Sequence, residues 1–120
     1  MPKIYIMKGP EKGRSFELKG DMTTIGRGVD ADIRLSDKTV SKRHTQIMQR
    51  GNKYVLKDLG SKNGTFLDGK RIIADTLHEI REGVSVAIGG TSFSLGKPFA
   101  QKVMDELDSI DLFKAPNGKE

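Results

Sequence analysis

From Lys3 to Leu95 the apolar positions fall in short runs, many alternating with polar ones, and Gly, Asn or Asp breaks them at intervals of roughly eight to twelve residues. That cadence predicts strands at 4–7, 15–18, 22–25, 32–35, 45–49, 54–58, 65–67, 70–73, 84–88 and 91–95. Gly51-Asn52, Asp68-Gly69 and Gly89-Gly90 stand where tight hairpins need positive backbone angles. Val84, Val86 and Ile88 alternate with Ser85 and Ala87, and Thr91, Phe93 and Leu95 with Ser92 and Ser94, as in strands with one buried and one wet face. Ten or eleven short strands of this kind predict an all-β sandwich of two mostly antiparallel sheets. No internal repeat or low-complexity segment interrupts it.

Past Gly96 the pattern changes. Pro98 suits a first helical turn, and Phe99, Ala100, Val103, Met104, Leu107, Ile110 and Phe113 recur at steps of three and four, with Asp105, Glu106, Asp108 and Asp111 on other faces. The chain thus divides into a domain at 1–96 and a tail at 97–120, an amphipathic helix or linker whose last residues, 115–120, read as disordered. A helix of this length needs its apolar stripe buried. Docking on the same molecule is favoured over pairing with a second chain, so a monomer is expected over a dimer.

Composition narrows the class. The 120 residues, 35% hydrophobic and 31% charged, suit one core. There is no cysteine, which excludes disulfides and thiolate metal sites. The basic and apolar start is too short for a signal-peptide core, and no run approaches the ~20 apolar residues of a membrane span. A cytoplasmic protein, with no membrane partner, is expected. The net charge of +5 is uneven: residues 1–96 carry 17 basic and 11 acidic side chains, residues 97–120 carry 4 and 5. A basic body favours anionic partners in general. Nucleic acid is disfavoured, because aromatics are only 6%, Trp is absent and no helix-turn-helix or zinc pattern occurs.

Three loop stretches carry the candidate chemistry: Thr24-Ile25-Gly26-Arg27, Ser41-Lys42-Arg43-His44 and Gly60-Ser61-Lys62-Asn63-Gly64-Thr65. A Gly-flanked Arg offers a planar fork of donors matched to phosphate oxygens. Ser41 adds a hydroxyl with two neighbouring cations, and Asn63 an amide that both donates and accepts. Together they describe a pocket for a phosphorylated side chain and a clamp for its backbone. Gly26 to Ala31 formally matches a G-x-G-x-x-A dinucleotide fingerprint, but an alternating run follows where a helix is required. Gly90 to Pro98 is no P-loop, having Pro where a Ser or Thr must bind Mg. His44 and His78 are the two histidines, without a nucleophile elbow or a metal-ligand cluster, so neither catalysis, nor a metal, nor a cofactor is expected.

These motifs, in this order and at these separations, resemble the forkhead-associated (FHA) domain over residues 3–96, the stretch Gly9 to Leu18 being similar to that family's first hairpin. The resemblance implies a phosphothreonine-peptide binder on an FHA-like β-sandwich. Arg27 is then the main phosphate ligand, with Ser41 beside it and Lys42 or Arg43 adding charge, Lys42 the better candidate because the family often places a ligand immediately after the Ser. Asn63, with Lys62, bonds peptide backbone, and Gly26, His44 and Gly64 are structural, His44 bracing the loops. Lys62 departs from the Thr or Ser common there. Such a module recruits its protein to targets of Ser/Thr kinases as a non-catalytic adaptor, alone or as the regulatory N-terminal part of a larger signalling protein. A pure interaction scaffold on the same fold is the alternative, disfavoured by the intact Arg27, Ser41 and Asn63.

Overall fold

The structure, a computed structural model, describes residues 2–97, so the helix and tail expected beyond Lys97 lie outside the described residues. Eleven strands follow in order: β1 (Lys3–Lys8), β2 (Ser15–Glu17), β3 (Met22–Gly26), β4 (Ile33–Arg34), β5 (Thr45–Arg50), β6 (Lys53–Asp58), β7 (Thr65–Leu67), β8 (Lys70–Arg71), β9 (His78–Ile80), β10 (Ser85–Ile88) and β11 (Thr91–Leu95). One sheet has the order β2-β1-β11-β10-β7-β8, the other β4-β3-β5-β6-β9. All pairings are antiparallel except that of β3 with β4.

The core lies between the sheets. In β1, Ile4 and Ile6 point inward opposite Leu95 and Phe93 of β11, while Tyr5 faces Ser94 on the other side. Ile25, Ile47 and Leu56 do the same from the second sheet. Fully burying one such side chain contributes about 1.5–3 kcal/mol. Register therefore follows the alternation, because a slip of one residue would turn the whole row to water.

Four strands are shorter than their apolar runs, β2 by Leu18 and β10 by Val84, and β4 and β8 at Asp32, Leu35, Ile72 and Ile73. Asp32 drops out of β4 because its carboxylate accepts the Thr24 amide at 2.8 Å. Ile72 and Ile73 fall outside β8, although the Ile72 amide still bonds the Thr65 carbonyl at 2.9 Å. β9 is absent from the pattern of the sequence: it pairs with β6, His78 opposite Leu56 and Ile80 opposite Tyr54, and buries only Ile80.

The ends of the domain meet. The Gly96 amide bonds the Lys3 carbonyl at 2.7 Å. At the opposite end of β11, the Gly89-Gly90 turn touches the loop that contains Thr39.

Candidate functional site

Three loops gather at that second end: the one after β3, the one between β4 and β5, and the one between β6 and β7. The first two run side by side, with the amides of Arg27 and Gly28 bonded to the carbonyls of Ser41 and Lys42, each at 3.0 Å, and the His44 amide to the Ile25 carbonyl. The approach requires glycine. A Cβ on Gly26 would stand 2.1 Å from the Lys42 carbonyl oxygen.

Between these loops lies a cavity of about 290 Å³ lined by Arg27, Lys38, Thr39, Val40, Ser41, Lys62 and Asn63. Arg27 donates Nε to the Val40 carbonyl at 3.0 Å, which fixes the side chain and leaves both Nη groups without a partner among the described residues. The Ser41 hydroxyl oxygen accepts the Lys62 amide at 3.1 Å, so its own proton remains available. Asn63 donates Nδ2 to the Thr39 carbonyl at 2.7 Å, keeping its amide oxygen as an acceptor. The lining holds three cations and no carboxylate. A small polyanion is the ligand that such a cavity can neutralise.

Buried polar groups hold the loops. His44, without exposed surface, accepts the Ser41 amide at Nδ1 (3.0 Å) and donates Nε2 to the Gly64 carbonyl (2.8 Å). This arrangement needs the neutral ring, and burial lowers the imidazole pKa more than the Gly64 carbonyl and the charges of Asp58 and Asp37 raise it. Gly64 has φ +85°, and a Cβ there would meet Arg71 Nε at 2.6 Å.

Asp58 is the staple of the third loop. One carboxylate oxygen accepts the hydroxyls of Ser61 and Thr65, both at 2.6 Å, and the other the amides of Gly60 and Ser61. Burial alone would raise this carboxyl, but those bonds outweigh it and hold it below the ordinary carboxylate value. Asp37 is held low in the same way: burial is outweighed by bonds from the hydroxyl and amide of Thr39 and from the Thr91 hydroxyl, helped by the nearby Gly90 amide, which itself bonds Thr39 Oγ1 at 2.8 Å.

Known proteins share this architecture. The family described as "Inner membrane component of T3SS, cytoplasmic domain" matches residues 5–98. A solved structure described as a structural and functional analysis of phosphothreonine-dependent FHA domain interactions superposes with a TM-score of 0.70 at 29% identity, over 79% of this chain and 94% of that one. The chain belongs to this family and is a forkhead-associated domain. The FHA domain-containing protein FhaB of Mycobacterium tuberculosis is 33% identical over 92 residues, 77% of this chain and 58% of FhaB. The oxoglutarate dehydrogenase inhibitor of Corynebacterium jeikeium is 40% identical over 65 residues, 54% of this chain and 45% of that protein. The chain thus spans about half the length of these curated relatives.

Within the FHA domain, Arg27, Ser41, Lys62 and Asn63 share the cavity, and Gly26, His44 and Gly64 sit directly behind it. Lys42 lines a neighbouring depression across Arg27 instead, and Arg43 is exposed and lines neither. Lys38 and Thr39 are in the cavity although no motif of the sequence singled them out. The signal for Thr39 was the local Asp37-Lys38-Thr39 turn, in which an Asp caps the amide two residues on. Asp58 had the same signal in Asp58-Leu59-Gly60.

Proposed function

We propose that this FHA domain binds a phosphothreonine-containing segment of a partner protein in the cavity between Arg27, Ser41 and Asn63. The observation that carries the reading is the convergence of three separate loops on one cavity with three cations and no carboxylate in its lining. The solved FHA relative described by phosphothreonine-dependent interactions supports the choice of phosphorylated residue. A phosphothreonine brings about −1.5 to −2 charges and three acceptor oxygens.

In this reading Arg27 and Ser41 donate to the phosphoryl oxygens, with Lys38 adding charge, and Lys42 and Arg43 contribute field from the rim. Asn63 and Lys62 hold the peptide backbone. His44, Gly26 and Gly64 keep the loops in place. Charge-assisted hydrogen bonds contribute about 1.5–3 kcal/mol each. Three or four of them, less the cost of ordering a flexible peptide, correspond to roughly micromolar affinity. The module is non-catalytic, folds as residues 1–96, acts as a monomer and recruits its protein to Ser/Thr-kinase targets. A cytoplasmic setting, where ATP-dependent kinases supply the ligand, suits this chemistry.

Calorimetric titration with a phosphothreonine peptide, its unphosphorylated twin and a duplex DNA at two salt concentrations tests the reading. Binding confined to the phosphopeptide is expected. Binding of the duplex in preference to the phosphopeptide would overturn it.

A further inference from the structure

A second guanidinium is fixed beside the first. Arg34 lies in β4, in register with Gly26 of β3, and donates its Nε to the Arg27 carbonyl at 3.1 Å. Arg27 donates Nε to Val40 in the same manner. In both side chains a backbone acceptor takes the Nε–H and leaves the two Nη groups without a partner among the described residues. Such a fork is ordered before any ligand arrives, so little is lost when it binds.

Arg34 is exposed and faces a depression of about 400 Å³ that shares Arg27 with the first cavity and is otherwise lined by Gly28, Val29, Asp30 and Lys42. Three cations meet one carboxylate there, that of the exposed Asp30. Arg34 and Lys38 also border a third depression with Glu11; one oxygen of that carboxylate accepts the Ser36 amide and hydroxyl at 3.2 and 2.7 Å, and the other has no hydrogen-bond partner among the described residues. Among the described residues the ion pair is Lys53 with Glu79, on another part of the surface, so Arg34 and Lys42 are not neutralised by pairing. The charge of one phosphothreonine, about −1.5 to −2, is met in the first cavity by Arg27 and Lys38. Arg34 is left over, and Lys42, at the rim of the first cavity, lies beside it.

We propose that Arg34, with Lys42 beside it, forms a second anion subsite that takes an acidic side chain of the same bound peptide, either a carboxylate or a second phosphoryl group. The inference rests on the phosphothreonine reading and adds a sequence preference to it. The FHA domain then selects phosphothreonines in acidic or doubly phosphorylated surroundings. Arg34 is the determinant because its planar fork can bond two oxygens at once, whereas Lys42 supplies a point charge.

The test uses the full chain and a peptide with one phosphothreonine flanked by alanines, a set in which Glu replaces each flanking alanine in turn, and a version with a second phosphothreonine at the position where Glu helps most. Each is titrated against the parent, Arg34→Gln and Arg34→Lys, with melting recorded for all three proteins. We expect Glu at one or more positions to tighten binding about fivefold or more, and the second phosphothreonine to tighten it further. Both gains should vanish in Arg34→Gln and persist in part in Arg34→Lys, while affinity for the alanine-flanked peptide changes less than twofold. Equal binding of the Glu and alanine peptides by the parent would overturn the subsite, as would a gain that survives in a folded Arg34→Gln. A gain lost equally in Arg34→Gln and Arg34→Lys would overturn the role of charge. Failure of every phosphothreonine peptide to bind the parent would instead overturn the phosphothreonine reading, and the subsite with it.

Discussion

The hydroxyl oxygen of Ser41 accepts the backbone amide of Lys62 at 3.1 Å, so one side chain joins two loops that are 21 residues apart in sequence. The lone pair is occupied and the proton is not, which leaves the hydroxyl oriented as a donor. Ser41→Ala should therefore weaken phosphopeptide binding about 10- to 100-fold, the equivalent of losing one charge-assisted bond. Amide exchange at Lys62 should quicken in the same variant. Parent-like affinity would remove Ser41 from the phosphate site.

Arg27→Ala should abolish measurable phosphopeptide binding with little change in melting, because the side chain is only half buried and its one protein bond is to Val40. Arg27→Lys should recover a small part, since a point charge reproduces neither the fork nor the Nε bond. Calorimetry on both variants decides it, and tight binding by Arg27→Ala would disprove the pocket.

Asn63 reaches the Thr39 carbonyl rather than any phosphate-directed cation. Asn63→Ala should thus cost about tenfold with a phosphopeptide but less than twofold with free phosphothreonine. Competition assays with free phosphothreonine separate it from Ser41→Ala, which should lose both. Equal losses for the two variants would refute the division between phosphate and backbone contacts.

His44 gives the fold a pH dependence. Its folded pKa lies below the ordinary 6.5, so the unfolded chain binds the proton more readily. Stability should be level above about pH 6.5 and fall as the pH drops below it. Asp37 and Asp58, lowered from 3.8, contribute stability that is present above that value and lost as pH falls through their folded values, so the two windows separate. His44→Ala should melt on the order of 10 °C lower at pH 7.5, having orphaned the Ser41 amide and the Gly64 carbonyl, and should lack the loss of stability that sets in below pH 6.5. An unchanged melting profile would make His44 dispensable to the fold.

Gly26→Ala should destabilise by about 1–3 kcal/mol or more, because its Cβ would collide with backbone rather than with a movable side chain. Chemical denaturation measures the loss. Peptide affinity should fall as well, since Arg27 follows directly.

The sequence made the sandwich legible because ten of its strands either alternate or sit between turn residues, and the sheets bury most of those apolar positions, Met22 and Ile73 being exposed exceptions. β9 was illegible for a physical reason: one buried side chain, Ile80, gives no period, and only pairing with β6 defines the strand. The cavity was legible where glycines flank chemistry, at Arg27 and Asn63. Lys38 and Thr39 enter it through the Asp37 turn and its tie to Thr91 and Gly90, contacts more than fifty residues apart that no local pattern carries. Lys42 follows Ser41 directly and is the better candidate of the two cations by resemblance, but the loop turns both Lys42 and Arg43 out of the cavity that Ser41 lines.

The bond from Gly96 to Lys3 places the entry and exit of the domain side by side, at the pole away from the Gly89-Gly90 turn and the cavity loops. Both points of attachment, at Lys3 and at Gly96, therefore sit at the end of the sandwich far from the cavity loops. The domain is built like a plug, its contacts at one tip and both leads at the other.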